Sequence, residues 1–166
     1  KKRFFMTIFG ISGSMALMLV GFGLRDSIMD IARRQYQELQ HYTGTIIDDE
    51  DATDKERQEL DEFLKNNSQI ERYTHVQFTK MSVPRNKSNI SVYVYVPENL
   101  ETFNKDVTLQ DRKTKEKYKL TEAGTVISEK TATLTGLKVG DTMTITKDGK
   151  NYETKIAAVT ENYMGH

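Results

Sequence analysis

The chain has 166 residues, with 24 Lys and Arg against 24 Asp and Glu, and no cysteine. Balanced charge leaves no electrostatic footprint for nucleic acid, and the missing thiols exclude a disulfide framework and a zinc site built on Cys. Taking Lys1, Lys2, Arg3 and Arg25 away leaves 20 basic against 24 acidic residues, so the 141 residues from Asp26 onward are mildly acidic and suffice for one domain or two small subdomains.

The chain opens on Lys1, Lys2 and Arg3, followed by twenty-one residues, Phe4 to Leu24, without a charge. At about 1.5 Å per residue such a run makes a helix roughly 31 Å long, the thickness of a bilayer's hydrocarbon. The basic cluster predicts a cytoplasmic start, with lipid around residues 4–24 and everything beyond extracytoplasmic. A secretory signal peptide is the rival reading, disfavoured by the length of the run and by the lack of an Ala-x-Ala site. The absent initial Met and the ending at His166 suggest a segment of a longer protein. Gly10, Ser14 and Gly21 fall with Leu17 on one stripe of small residues, the form that lets membrane helices pack closely.

Ile28, Ile31, Ala32, Gln35, Leu39 and Tyr42 continue near one face, and neither Pro nor Gly interrupts before Gly44. A stalk helix over 26–44 is therefore expected. Thr45, Ile46 and Ile47 read as a short buried strand, followed by the acidic turn Asp48–Asp51. Thr53 and Glu56 have the form of a capping box, opening a helix to about Asn66 and Asn67 with Leu60, Phe63 and Leu64 on its inner face.

Val76 and Phe78 mark a strand. From Ile90 to Val96 the aliphatic residues alternate with Ser91, Tyr93 and Tyr95, which predicts a strand with one aliphatic core face and one aromatic, partly exposed face. Tyr93 and Tyr95 would form a binding face for a peptide or lipid, unless another element of the same domain covers them, the expected arrangement. The polar stretch 98–120 permits a hairpin around Arg112 to Lys115. Thr125, Val126 and Ile127 form a short strand leading into Ser128, an N-cap for a helix through Leu134 that Gly136 ends. Lys147-Asp148-Gly149-Lys150 is a type I′ hairpin signal joining Met143 and Ile145 to Tyr152 and Ile156.

Few residues suggest chemistry. His41, His75 and His166 have no metal-ligand spacing, and the acidic run from Asp48 lacks the Gly and Glu of an EF-hand loop. Phosphate-cradling and nucleophile-elbow motifs are missing, so no catalytic, cofactor-binding or metal residue is proposed. Asn66-Asn67-Ser68, Asn86-Lys87-Ser88 and Asn89-Ile90-Ser91 match the glycosylation acceptor pattern, relevant in a eukaryotic secretory setting.

The order of parts, together with Val126-Ile127-Ser128-Glu129-Lys130-Thr131-Ala132 and Gly136-Leu137-Lys138-Val139-Gly140-Asp141-Thr142-Met143, resembles the FtsX-like, MacB-type permeases of ABC transporters. The basic opening and Asn162-Tyr163-Met164-Gly165-His166 are similar to the Gram-positive members, the latter to the lead-in to their next span. Gly136 and Gly140 would serve a helix end and a turn, with Leu137 and Val139 buried between them. Thr133-Leu134-Thr135 departs from the more helical stretch expected there, which leaves the length of that helix open.

The resemblance implies an α+β fold: a transmembrane helix (1–25), a stalk (26–44) and a MacB-like core domain (45–166) with a small β-hairpin subdomain at about 125–160. It also implies a permease subunit working with a separate cytoplasmic ATPase and with a second permease copy or an internal repeat. The outer domain would transmit force to export a substrate or activate a peptide, lipid or extracytoplasmic protein partner. A single-pass sensor or ligand-binding ectodomain is the alternative, and an anchored enzyme a third reading.

Overall fold

The computed structural model describes residues 2–49, 51–85 and 88–163, in two compact units that meet in the sequence between Glu38 and Leu39. The first unit is one helix. α1 (Lys2–Arg33) continues without a break into a π-helical stretch, Arg34–Leu39. Among the described residues, this is the single helix long and apolar enough to cross a membrane, and its apolar part is exposed throughout. Asp30 bonds to both Arg33 and Arg34, at 2.8 and 2.7 Å, stabilising the turns where the uncharged run has given way to polar sequence. The helix ends at Leu39 rather than near Gly44: Gln40 instead pairs as an antiparallel bridge with Val107, and Thr108 N–H donates to Leu39 O at 2.7 Å. Gln35 and Leu39 of the expected stripe are buried, while Tyr42 is exposed.

The second unit is α+β. Its helices are α2 (Asp54–Asn66), α3 (Leu100–Asp106) and α4 (Glu129–Thr135). Its strands are β1 (Val76–Val83), β2 (Ile90–Pro97), β3 (Leu109–Gln110), β4 (Lys117–Tyr118), β5 (Thr125–Ser128), β6 (Thr142–Lys147) and β7 (Lys150–Thr160). Five of them form one sheet in the order β2-β1-β6-β7-β5, antiparallel except where β5 runs parallel to β7. β6 joins β1 through Ser82 and Thr146, so the two hairpins share a sheet. β3 and β4 pair separately, Leu109 opposite Tyr118, around a turn in which the Asp111 carboxylate accepts from the N–H groups of Lys113 and Thr114.

The core lies on one face of this sheet. Val83, Val92, Ile127, Met143, Ile145 and Ile156 are buried, and Ala132 of α4 and Leu137 just beyond it pack against them. Ser128 caps α4 by accepting from Thr131 N–H, and Gly136 ends it in the left-handed conformation with φ 78°. The threonines of α4 are accommodated because Thr133 and Thr135 donate their hydroxyls back to the carbonyls of Glu129 and Thr131. Asp148 and Gly149 carry the positive φ angles, 50° and 75°, of the tight β6–β7 turn.

Besides the end of the stalk, four expectations differ from the structure. Thr45, Ile46 and Ile47 form no strand, and Ile47 is 84% exposed. The capping box of Thr53 and Glu56 is present, yet α2 buries no residue: Leu60 and Leu64 are half-buried and Phe63 is exposed. Apolar residues at helical spacing state which face seeks cover, and the domain supplies too little of it here. Val139 is exposed, since Gly140 (φ 94°) turns the chain at once and only Leu137 reaches the core. The fourth concerns the tyrosines of β2, described below.

Candidate functional site

The small-residue stripe of α1 is open. Gly10 and Gly21 have no side chain within 4 Å of where a Cβ would sit, and the Ser14 hydroxyl donates back to the carbonyls of Gly10 and Ile11 at 3.1 and 2.9 Å. Ser14 is thus satisfied within its own helix, and the stripe presents a smooth, low surface.

The most distinctive surface of the second unit is aromatic. Alternation along β1 and β2 sends Met81, Val83, Ile90, Val92 and Val94 to the core and Phe78, Tyr93 and Tyr95 to the opposite face. Phe78 lies at the centre, stacked on Tyr93 with ring centroids 5.0 Å apart and planes 14° apart, and 4.9 Å from Tyr95, which lies opposite it in register. Tyr93 and Tyr95 remain 42% and 52% exposed, so the expected cover by another element is not there. Desolvation in this cluster raises the Tyr95 phenol above its ordinary value, and the hydroxyls of Tyr42 and Tyr93 add to the effect. The patch therefore holds Phe78 and Tyr42 beside the two tyrosines that sequence patterning identified. Phe78 was within reach of that reading, because a strand partner of the same parity contributes to the same face.

Three polar groupings hold the irregular segments in place. Asp61 of α2 accepts from Lys65, from the Tyr73 hydroxyl at 2.9 Å and from His75 at 3.2 Å, and these three hydrogen bonds draw its carboxyl down to about 2. Asp106 at the end of α3 pairs with Arg72 at 2.6 Å. Glu161 is buried just after β7 and meets Lys115 at 2.8 Å, the Gln110 amide and the Tyr163 hydroxyl. Burial pushes this carboxyl up, but the three donors outweigh it and leave Glu161 below its ordinary range.

Each of these carboxylates is engaged by at least one cationic or hydroxyl donor that ties separate segments of the domain together. His41 bonds to the Thr108 hydroxyl and His75 to Asp61, while His166 lies outside the described residues. Among the described residues no three His, Asp or Glu side chains gather as metal ligands. The acidic run is solvated, with Arg57 near both Asp48 and Asp54. Glu50, Lys1, the acceptor pattern at Asn86 and Lys87, and the motif residues Met164 to His166 also lie outside the described residues.

No protein-family model, no curated protein and no solved structure matches the chain.

Proposed function

We propose that this chain is a segment of an ABC-transporter permease: a first membrane span, a stalk and an extracytoplasmic domain that relays movement driven by a separate cytoplasmic ATPase. One observation carries the reading: a helix continuous from Lys2 to Leu39 that is uncharged for twenty-one residues after its basic start, long and apolar enough to cross a membrane. Lipid surrounds residues 4–24 in this reading, and the basic end lies in the cytoplasm. Leu39, Gln40 and His41 are hydrogen-bonded or paired to residues 106–108, which ties the start of the domain to the end of α3 and the residues before β3. The resemblance of the Ile127–Ala132 and Gly136–Met143 segments to MacB-type permeases agrees with this. ATP is hydrolysed on the partner subunit, and the Gly10, Ser14 and Gly21 stripe faces a further span or a second copy.

The aromatic face of Phe78, Tyr93 and Tyr95 favours a second reading, a single-pass ectodomain that binds a peptide or lipid. Purification of the full-length membrane protein in detergent, with ATPase turnover measured for wild type and Ile31→Pro, separates the two. The kink removes one helical hydrogen bond and breaks the rod. A co-purifying ATPase whose turnover changes with the kink supports the permease. Purification without an ATPase overturns it in favour of the ectodomain, and loss of residues 1–25 on export identifies a signal sequence.

A further inference from the structure

The five-stranded sheet has two edges of unlike character. One is β5, four residues long and running directly into α4. The other is β2, eight residues long, with no charged residue between Ile90 and Val96 and no proline before Pro97. Natural sheets blunt such edges with charge, proline, bulges or a covering element, because an unpaired row of N–H and C=O groups invites another strand.

The direction of those groups follows from the register. Glu98 N–H donates to His75 O at 2.9 Å, so pairs 77/96, 79/94, 81/92 and 83/90 are the hydrogen-bonded ones. Ser91, Tyr93 and Tyr95 therefore aim their N–H and C=O away from β1. Among the described residues, no backbone or side-chain group bonds to these three outward positions.

The sequence of this edge reads the same in both directions about Val94: Val92-Tyr93-Val94-Tyr95-Val96. An antiparallel strand pair around a two-fold axis requires that self-complementarity, since residue i must suit residue j in both directions. Centring the axis on Val94 places Tyr93 opposite Tyr95 of a second chain twice over, as hydrogen-bonded pairs that use the outward groups of both residues. The same register extends the aromatic patch and places Val92 opposite Val96 and Val94 opposite its own copy on the aliphatic face. Each of these cross-strand pairings, aromatic with aromatic and β-branched with β-branched, is favourable.

We propose that β2 is an interface for a second copy of this chain, joined edge to edge through an antiparallel pair centred on Val94 into a continuous ten-stranded sheet. The inference is independent of the transporter reading, since it rests on the sheet edge alone. It also differs from helix packing through Gly10, Ser14 and Gly21, which would leave β2 free.

Because the chain lacks cysteine, single-cysteine cross-linking of the full chain in detergent tests the register. In Val94→Cys the two Cα atoms form a non-hydrogen-bonded pair, about 4.5 Å apart, within disulfide reach. In Val92→Cys the copies are displaced by four residues and out of reach. Mild oxidation is expected to convert Val94→Cys to a covalent dimer with a yield on the order of tenfold above that of Val92→Cys. Tyr93→Pro removes an outward N–H that β1 does not use, and is expected to turn the native dimer into a monomer by light scattering with unchanged circular dichroism. A monomeric wild type, a dimer that survives Tyr93→Pro, or equal cross-linking at both cysteines overturns the proposal. The first of these outcomes leaves the edge to an extended segment of a different protein, and the second assigns dimerisation to the membrane helix.

Discussion

Asp61 shows how much of this domain's irregular part hangs on single side chains. Its carboxylate joins α2 to the segment before β1 by accepting from Tyr73 and His75, and its pKa falls from the ordinary 3.8 to about 2 because Lys65, Tyr73 and His75 all favour the charged form. A carboxyl whose pKa is lower folded than unfolded contributes stability that is complete above the unfolded value and is lost as pH falls through the folded one. The window is thus pH 4 down to about 2. Asp61→Asn is expected to melt below wild type at neutral pH, with the gap closing as the pH is lowered across that window; thermal melts at pH 7 and pH 2.5 check it, and a gap of constant size would contradict the assignment. Nothing in the sequence pairs Asp61 with Tyr73 and His75, twelve and fourteen residues later, because side-chain partners across an irregular connection leave no periodic trace. Phe78 beside Tyr93 and Tyr95 is the opposite case: strand parity gives its face, and only the register was needed to supply the neighbours.

At the scale of elements, local chemistry was legible and cover was not. The capping box at Thr53, the Ser128 cap, the Gly136 stop and the Asp148-Gly149 turn each occupy the predicted place, because each is decided within four residues. Ile46 and Ile47 mislead for the converse reason: their β-branched character suits a strand, but a strand needs a neighbour to bond, and the five-stranded sheet ends at β2 and β5 without them. α3 went unread within a polar stretch, although Asn99 caps it by accepting from Thr102 N–H. The interior strand β7, between β6 and β5, also holds a constraint invisible to patterning. Gly124, just before β5, lies so close to it that a Cβ would come within 2.4 Å of the Lys155 carbonyl oxygen and 3.2 Å of the Ala157 Cβ. The obstacle is backbone in the middle of the sheet and cannot swing aside. Gly124→Ala is expected to cost about 1–3 kcal/mol, the usual penalty of overpacking, through displacement of β5 from β7. Gly44→Ala, with nothing within 4 Å, serves as the control and should leave the melting temperature within a degree or two of wild type.

For the whole molecule, the question with the widest consequences is which side of a membrane carries the sheet. The helix satisfies the length and composition of a span, and three basic residues precede its uncharged run, while Arg25, Asp26, Asp30, Arg33 and Arg34 follow that run in near balance. Orientation is set by the Lys and Arg excess in short flanking segments, so for the proposed span the asymmetry predicts a start inside and a sheet outside. Single cysteines turn that argument into a direct measurement. Lys113, exposed in the turn between β3 and β4, and Lys2 at the foot of α1 are replaced singly by Cys in a full-length protein from which any cysteine outside these 166 residues has been removed, and intact cells are treated with a membrane-impermeant maleimide. Lys113→Cys is expected to label in intact cells and Lys2→Cys only after permeabilisation. The reverse pattern would place the domain in the cytoplasm and overturn the proposal that α1 relays movement across the bilayer to it. Labelling at neither site until lysis would remove the membrane orientation argument altogether. If Lys113→Cys labels on a chain that has left the membrane fraction, the apolar run is a cleaved export signal.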